Sequence, residues 1–256
     1  MPQDIKLLST DFDGTLFAEF EKPPISLRLQ QRIADLQAKG VRWVINTGRD
    51  MSSLMDALAR SQVLTMPDYM VVVEREIHVR KGNHYIGLDD WNLECHRSHE
   101  RVFAQVRRDL PRLVSWVECH HSAMVYEDAY SPFCLLAQKI SDADAVQAYL
   151  EDYCTEVPDL QVVRNDVYVR FAHANYDKGL ALAEILRRES ISPDSVFAAG
   201  DHLNDLAMLK TRFARFLAAP ANAIDPVKTV VSSQGGFVSD LPFGHGVMQG
   251  LDYYLS

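Results

Sequence analysis

Short apolar runs typical of strands alternate with apolar residues at helical spacing along the first 75 residues of the chain. Short apolar runs lie at 5–9, 41–45 and 69–73. Between the first two runs, Leu29, Ile33 and Leu36 recur at the spacing of an amphipathic helix, and Gly40 ends it. A second helix is predicted through Leu54. Strands that alternate with helices in this way predict a parallel sheet.

The pattern changes between about residues 77 and 174, where strand-like runs alternate apolar and polar positions. Apolar residues on both sides of Asn165-Asp166 predict an antiparallel hairpin, and the runs 113–118 and 123–126 predict another. One helix is predicted at 92–108 and a second between the two hairpins. The segment is therefore predicted to be a mixed α+β insert that forms a small domain of its own.

After the insert the first pattern resumes. A strand at 196–199, a helix at 204–209 and a strand at 216–218 follow one another. The predicted fold class is therefore α/β, with a parallel-sheet core whose two halves flank the insert.

The net charge of the chain indicates which classes of binding partner are compatible with it. The 256 residues carry a formal net charge of −9. This balance argues against nucleic acid as the main partner, because binding to a phosphate backbone needs a basic surface. A small phosphorylated substrate remains compatible with it, since such a ligand needs only a local cationic pocket.

The sequence suggests a cytoplasmic protein. Its first residues show no signal-peptide pattern, and no run of about 18 apolar residues predicts a membrane span. The four cysteines show no paired spacing, so we expect reduced thiols rather than a disulfide framework or a zinc site. Nothing in the sequence indicates an oligomeric state.

Polar segments follow the predicted strands or begin a helix at four places. These segments are 11–16, 46–49, 175–178 and 200–205. The carboxyl ends of the strands in an open parallel sheet meet at one crevice, where ligands bind. Each segment taken alone could also serve only a structural purpose. The prediction of a ligand site therefore rests on all four segments lying at the same edge of the sheet.

Two carboxylates stand one residue apart in the first segment, Asp11-Phe12-Asp13-Gly14-Thr15-Leu16. One of them is suited to attack phosphorus and the other to protonate a leaving oxygen. Paired anions repel unless a cation lies between them, and oxygen ligands favour Mg²⁺. The alternative is an ordinary surface turn rich in Asp and Gly.

The next two segments offer groups that hold an anion. Thr47 and Gly48 supply a hydroxyl and a backbone N–H ahead of a helix, which is typical of an anion nest. Lys178 begins a helix and can reach a phosphate as a point charge. The alternatives are a capping turn and a solvated surface lysine.

The fourth segment again places carboxylates after a strand. Asp201 follows Gly200, and Asp205 lies four residues later. Together they can complete a magnesium shell, directly or through water. A helix N-terminal cap explains Asp205 equally well but leaves Asp201 unexplained.

The four segments in this order resemble the motifs of the haloacid dehalogenase superfamily of phosphohydrolases. The chain is most similar to the Cof-type and sucrose-phosphatase-like branch, which carries a large C2-type cap between its second and third motifs. The resemblance implies a Rossmann-like core over 1–78 and 175–256 and an α/β cap, which sets substrate specificity, over 79–174.

The resemblance also implies a role for each matching residue. Asp11 corresponds to the nucleophile that forms an aspartyl-phosphate, and Asp13 corresponds to the general acid and base. Thr47, Lys178 and Asn204 correspond to groups that hold the phosphate, and the Gly48 N–H joins them through the predicted nest.

The metal ligands follow from the same correspondence. Asp201 matches the Mg²⁺ ligand of the superfamily, together with Asp11 and the backbone carbonyl of Asp13. Asp205 matches the second acidic residue of the fourth motif.

The function implied is Mg²⁺-dependent hydrolysis of a small phosphomonoester, for example a sugar phosphate. The alternatives are a phosphotransferase or phosphomutase and a non-catalytic regulator that binds a metabolite. The large insert disfavours a mutase, and the presence of both Asp11 and Lys178 disfavours a regulator.

One segment departs from the pattern of the superfamily. Relatives often read Glu-Asn-Gly after the third strand, whereas this chain reads Glu74-Arg75-Glu76. We therefore expect the usual tight turn to be missing here.

Overall fold

The computed structural model describes residues 4–256, which form two compact units. The first, here called the core unit, runs from the described start of the chain to Asp89 and from Asp177 to Ser256. The second, the insert unit, comprises Asp90–Tyr176. The resemblance implied an insert over 79–174, whereas residues 79–89 group with the core unit and residues 175–176 with the insert unit.

The helices and strands follow one another in this order along the chain. The first part contains β1 (Leu7–Thr10), α1 (Leu27–Ala38), β2 (Arg42–Asn46), α2 (Met51–Arg60), β3 (Tyr69–Val72), β4 (Glu76–Lys81) and β5 (His84–Gly87). The middle part contains α3 (Asp89–His120), β6 (Ala123–Tyr126), β7 (Cys134–Ala137), α4 (Ile140–Cys154), β8 (Leu160–Asn165) and β9 (Tyr168–His173). The last part contains α5 (Lys178–Glu189), β10 (Val196–Ala199), β11 (Phe216–Ala219), α6 (Asp225–Ser233), β12 (Phe237–Val238) and α7 (Phe243–Leu255).

An eight-stranded sheet organises the core unit. Its order is β12-β11-β10-β1-β2-β3-β4-β5, parallel from β12 to β3 and antiparallel in the last two pairs. The central strands are apolar throughout, and Leu8, Ile45 and Phe197 are fully buried in one core with residues of α1, α2 and α7. Parallel strands covered on both faces need such continuous apolar runs. The prediction of an α/β fold with a parallel sheet is confirmed.

The insert unit is built on an antiparallel sheet in the order β6-β7-β9-β8. The predicted hairpin around Asn165-Asp166 is confirmed as β8–β9, with Asp166 in the left-handed region. Val106, Leu150 and Phe171 belong to the apolar core that this sheet forms with α3 and α4.

The predicted strand at 113–118 is wrong. These residues continue α3, which includes Pro111 and extends to His120. Leu113 and Val117 prolong the buried stripe that runs through Val102 and Val106, at the three- to four-residue spacing of a helix face. The tertiary burial of this stripe outweighs the hydrogen bond that the proline removes.

The predicted helix at 204–209 is replaced by a short 3₁₀ turn, Leu203–Ala207. Within residues 227–241, α6 ends at Ser233 and β12 follows at Phe237–Val238. Across residues 4–256, no helix combines the length and the apolar character that crossing a bilayer requires.

Candidate active site

The edge at the carboxyl ends of β1, β2 and β10 gathers the polar segments. β1 lies between the other two strands, and the Asp11 N–H donates to the Ala199 carbonyl at 2.9 Å. The first residue of α5 is fixed to the same edge, because Asn46 donates from Nδ2 to the Lys178 carbonyl at 2.9 Å. Residues from both halves of the core unit therefore meet at one place.

A fully buried lysine joins two carboxylates there. Lys178 Nζ lies 2.6 Å from Asp11 Oδ1 and 2.7 Å from Asp205 Oδ1. Burial opposes the charge of the ammonium, but Asp11 and Asp205 raise the pKa of Lys178 above its usual value. Lys178 is therefore a fixed cation beside the proposed nucleophile.

The negative charge of the cluster exceeds what this lysine neutralises. Burial, together with the neighbouring Asp205, raises the pKa of Asp11 well above its usual range, although Lys178 acts in the opposite direction. Burial and the same Asp205 raise the pKa of Asp201 to about 7. Burial and the mutual repulsion of the carboxylates therefore disfavour the ionised form of both groups.

Three carboxylates have the spacing of a metal site. One oxygen from each of Asp11, Asp201 and Asp205 lies within 4.8 Å of the others. All three side chains offer the oxygen ligands that Mg²⁺ prefers. The excess negative charge and this donor set together fit a divalent cation.

The neighbouring groups fix the orientation of two of these carboxylates. Asp205 Oδ2 accepts hydrogen bonds from the backbone N–H groups of Asp201 and His202, at 2.8 and 2.9 Å. Asp201 Oδ1 accepts from Thr15 Oγ1 at 2.7 Å. Gly14 is needed beside it, because a Cβ at this position would lie 2.4 Å from Asp201 Oδ2.

The Asp13 side chain is not part of the carboxylate cluster. It is half-exposed and forms a two-bond ion pair with Arg49, from Nε to Oδ2 at 2.7 Å and from Nη2 to Oδ1 at 2.6 Å. The guanidinium also lies 5.3 and 5.4 Å from the ring centres of Phe12 and Phe17. Sequence reasoning gave Arg49 no role, although it directly follows the predicted anion nest.

The predicted nest lies beside β3. Thr47 is buried, and its Oγ1 accepts a hydrogen bond from the Arg49 N–H at 3.2 Å. Gly48 is exposed. The structure therefore places both residues on the loop that leads into α2, beside the ion pair of Arg49 with Asp13.

The expectation that the tight turn after β3 is missing is wrong. Val73 and Glu74 both adopt left-handed backbone conformations, with φ of 46° and 68°, and the chain reverses directly into β4. Their N–H groups donate to the Arg49 and Thr47 carbonyls, both at 2.9 Å. These hydrogen bonds hold a turn that glycine would adopt without strain.

This turn brings a further carboxylate to the edge of the sheet. Glu74 is buried, and its Oε1 accepts from Asn204 Nδ2 at 2.8 Å. Sequence reasoning treated Glu74 only as a departure from a turn pattern. No local signal showed that its side chain meets Asn204.

Comparisons with known proteins place the chain among phosphatases. The family model described as sucrose-6F-phosphate phosphohydrolase matches residues 5–255. The chain is 24% identical to the 5-amino-6-(5-phospho-D-ribitylamino)uracil phosphatase of Bacillus subtilis, over 98% of this chain and 96% of the relative. It is 30% identical to a phosphoglycolate phosphatase of Methanoculleus marisnigri over 44% of each chain.

Solved structures show the same fold. The sucrose-phosphatase of Synechocystis, solved with sucrose and phosphate, superimposes with a TM-score of 0.74 at 16% identity, covering 98% of both chains. A haloacid dehalogenase-like hydrolase from Bacteroides thetaiotaomicron gives a TM-score of 0.66 at 20% identity, covering 97% of this chain and 99% of that one.

Proposed function

The chain belongs to the sucrose-6F-phosphate phosphohydrolase family of haloacid dehalogenase-like phosphatases, and we propose that it hydrolyses a small phosphomonoester through an aspartyl-phosphate on Asp11. The observation that carries the proposal is the buried contact of Lys178 with both Asp11 and Asp205. Phosphoryl transfer concentrates negative charge, and a fixed buried cation beside the nucleophile stabilises it.

The first displacement forms the covalent intermediate. An Asp11 carboxylate oxygen attacks phosphorus, and the bond from phosphorus to the ester oxygen breaks. Asp13 gives a proton to that oxygen, so the alcohol leaves neutral. Thr47, Gly48, Lys178 and Asn204 hold the phosphoryl oxygens during this step.

The second displacement releases phosphate. Asp13, now a carboxylate, takes a proton from a water molecule, and the water oxygen attacks phosphorus. The bond from phosphorus to Asp11 breaks, which restores the Asp11 carboxylate and the protonated Asp13. Arg49 holds the direction of the Asp13 side chain through two hydrogen bonds while Asp13 is a carboxylate, and this ion pair must open for Asp13 to carry the proton of the first step.

The carboxylate cluster is the place for Mg²⁺ in this proposal. Asp11 and Asp201 would hold the ion, with the Asp13 backbone carbonyl as a further ligand. Asp205 would support the shell, because both of its oxygens already accept hydrogen bonds. When bound, the ion supplies positive charge to the phosphoryl oxygens and keeps the carboxylates ionised.

A phosphorylated polyhydroxylated compound, such as a sugar phosphate, is the proposed substrate class. The matching family acts on sucrose-6F-phosphate by its name, and the Synechocystis structure contains sucrose and phosphate. The Bacillus subtilis relative acts on a phosphorylated ribityl compound by its name. A phosphate ester on a hydroxylated carbon chain is common to both.

The test is phosphate release from a panel of phosphorylated metabolites with Mg²⁺ and with EDTA, for the wild type and Asp11→Asn. We expect release that needs Mg²⁺ and falls at least about a thousandfold in Asp11→Asn, because the amide is a far weaker nucleophile. Asp35→Asn, the same change at an exposed carboxylate of α1, is the control and should retain activity.

Three results would contradict the proposal. Equal release by Asp11→Asn would exclude the covalent intermediate. Binding of a metabolite without release of phosphate from any compound, including a generic aryl phosphate, would favour the regulator. Transfer of phosphate to a second sugar in place of water would favour the phosphotransferase.

A further inference from the structure

Two consecutive residues with side chains occupy the left-handed region in the turn between β3 and β4. Val73 has a φ of 46° and Glu74 a φ of 68°. This region is unfavourable for residues other than glycine, and it is least favourable for a β-branched residue. Such strain persists only where surrounding contacts determine it, and it concentrates at functional sites.

The contacts that hold the turn come from the predicted anion nest. The Val73 and Glu74 N–H groups donate to the Arg49 and Thr47 carbonyls. The backbone of Glu74 is therefore tied to the loop that carries Thr47 and Gly48. A glycine at position 74 would keep this backbone and lose the side chain.

The side chain of Glu74 reaches the two segments that hold phosphate in the proposed function. Its Oε1 accepts from Asn204 Nδ2 at 2.8 Å. The same oxygen lies 3.5 Å from the place where a Cβ on Gly48 would stand. Glu74 also raises the pKa of Lys178, after burial and the larger effects of Asp11 and Asp205. The carboxylate is thus packed over Gly48 and bonded to Asn204.

We propose that Glu74 is a positioning residue that orients the Asn204 amide toward the substrate phosphate, an inference that rests on the proposed function. An amide nitrogen has two N–H donors, and the carboxylate of Glu74 takes one of them. A carboxylate only accepts, so the nitrogen end of the amide must face Glu74. The second N–H is then held for a phosphate oxygen. Without Glu74 the amide is free to turn and present its oxygen to the anion.

The charge of Glu74 opposes this effect, since a carboxylate near a phosphate repels it. Glu74→Gln separates the two contributions, because the glutamine carbonyl accepts the same hydrogen bond without the charge. Glu74→Gly removes both and also relieves the left-handed backbone. A positioning role predicts that these two variants differ.

The experiment measures the affinity of the full-length protein for inorganic phosphate by calorimetry in the presence of Mg²⁺. The variants are Glu74→Gly, Glu74→Gln, Asn204→Ala and the double variant Glu74→Gly with Asn204→Ala. We expect Glu74→Gly to weaken binding about fivefold, as for one hydrogen bond, and Glu74→Gln to stay within about twofold of wild type or to bind more tightly. In the Asn204→Ala background, Glu74→Gly should no longer weaken binding, and any remaining change should be toward tighter binding because the repelling charge is gone.

A control separates positioning from general destabilisation. We expect Glu74→Gly to melt at the same temperature as the wild type or above it, because the backbone strain is relieved. Ser190→Gly relieves a left-handed residue with a φ of 54° on the surface after α5. It should also keep or raise the melting temperature and leave phosphate affinity unchanged.

Several outcomes would overturn the inference. These are wild-type affinity in Glu74→Gly, the same loss in Glu74→Gln as in Glu74→Gly, an undiminished effect of Glu74→Gly in the Asn204→Ala background, or no phosphate binding by the wild type. Phosphate release is measured separately. A wild type that binds phosphate with the expected coupling but hydrolyses no ester would reject the proposed function and leave the role of Glu74 standing.

Discussion

The core unit and the insert unit treat buried charge in different ways. In the core unit, Lys178, Asp11 and Asp205 are all buried and neutralise one another only in part. In the insert unit, the buried Arg164 pairs with Asp144, whose side chain is mostly exposed. A charge that can reach water through its partner costs little, whereas a buried cluster with excess charge costs stability. The difference supports the catalytic role that we propose for the cluster in the core unit.

Removal of the buried cation, Lys178, is expected to have the largest effect and tests the difference between the two units most directly. We expect Lys178→Met to lower phosphate release at least about a thousandfold, because the nucleophile loses its fixed positive neighbour. We also expect the unfolding free energy to fall by about 3–5 kcal/mol, because two buried carboxylates are left without their partner. Activity assays and urea denaturation measure the two effects.

Arg164→Met is the matched variant in the insert unit. Its carboxylate partner remains solvated, so we expect a loss of about 1–2 kcal/mol and activity within a few-fold of wild type. If Lys178→Met were no more damaging than Arg164→Met, the two units would not differ in the way described.

A smaller effect, on the pH dependence of folding stability, follows from the raised pKa of Asp201, which is about 7. Between about pH 7 and pH 4 the folded protein without metal binds a proton that the unfolded chain does not, so its stability increases as the pH falls. Asp201→Asn removes this proton and the repulsion from Asp205. In EDTA at pH 8 we expect the variant to be about 1–2 kcal/mol more stable than wild type and the difference to shrink at pH 5.

Urea denaturation at the two pH values, with and without Mg²⁺, checks this prediction. Thr15→Val is the control, because it removes the hydroxyl that donates to Asp201 and leaves the carboxylate in place. A wild type that is the more stable protein at pH 8 without metal would show that the cluster carries no excess charge.

The smallest expected effect is a loss of folding stability at low pH, opposite in sign to the effect of Asp201. It arises in the insert unit. Burial lowers the pKa of His173. Below about pH 6.5 the unfolded chain therefore binds a proton that the folded protein resists, and stability decreases as the pH falls. We expect His173→Gln to reduce the fall in urea midpoint between pH 7.5 and 5.5.

His245→Gln changes a half-exposed histidine of the core unit and should leave that fall unchanged. Identical pH profiles for wild type and His173→Gln would exclude His173 as a source of the acid sensitivity.

The two units also differ in how much of their structure could be predicted from the sequence. The central strands of the core unit are buried on both faces, so Ile45 and its neighbours appear as unmistakable apolar runs. Polar residues directly after such strands must meet at one edge, and Asp11 and Asp201 do so. The position of these residues after buried apolar runs therefore predicted that they lie together at one edge of the sheet.

Other features of the structure depend on contacts between residues far apart in the sequence, so local patterns did not predict them. Leu113 and Val117 form a short apolar run that suits a strand or a helix, and only burial against the insert sheet decides between them. Glu74 meets Asn204 through a turn whose backbone most residues avoid. Contacts between side chains on different loops depend on such tertiary geometry, so the chain pattern does not reveal them.

The pairing of β1 with β10 also has a consequence for synthesis on the ribosome. Leu7 lies beside Val196, and the site needs Asp11 from the first strand and Lys178 and Asp205 from the other end of the chain. A nascent chain that has emerged only through the insert exposes one edge of β1, a template for wrong pairing. Such a chain has no active site, and we expect truncation before Asp205 to yield a target for chaperones and proteases.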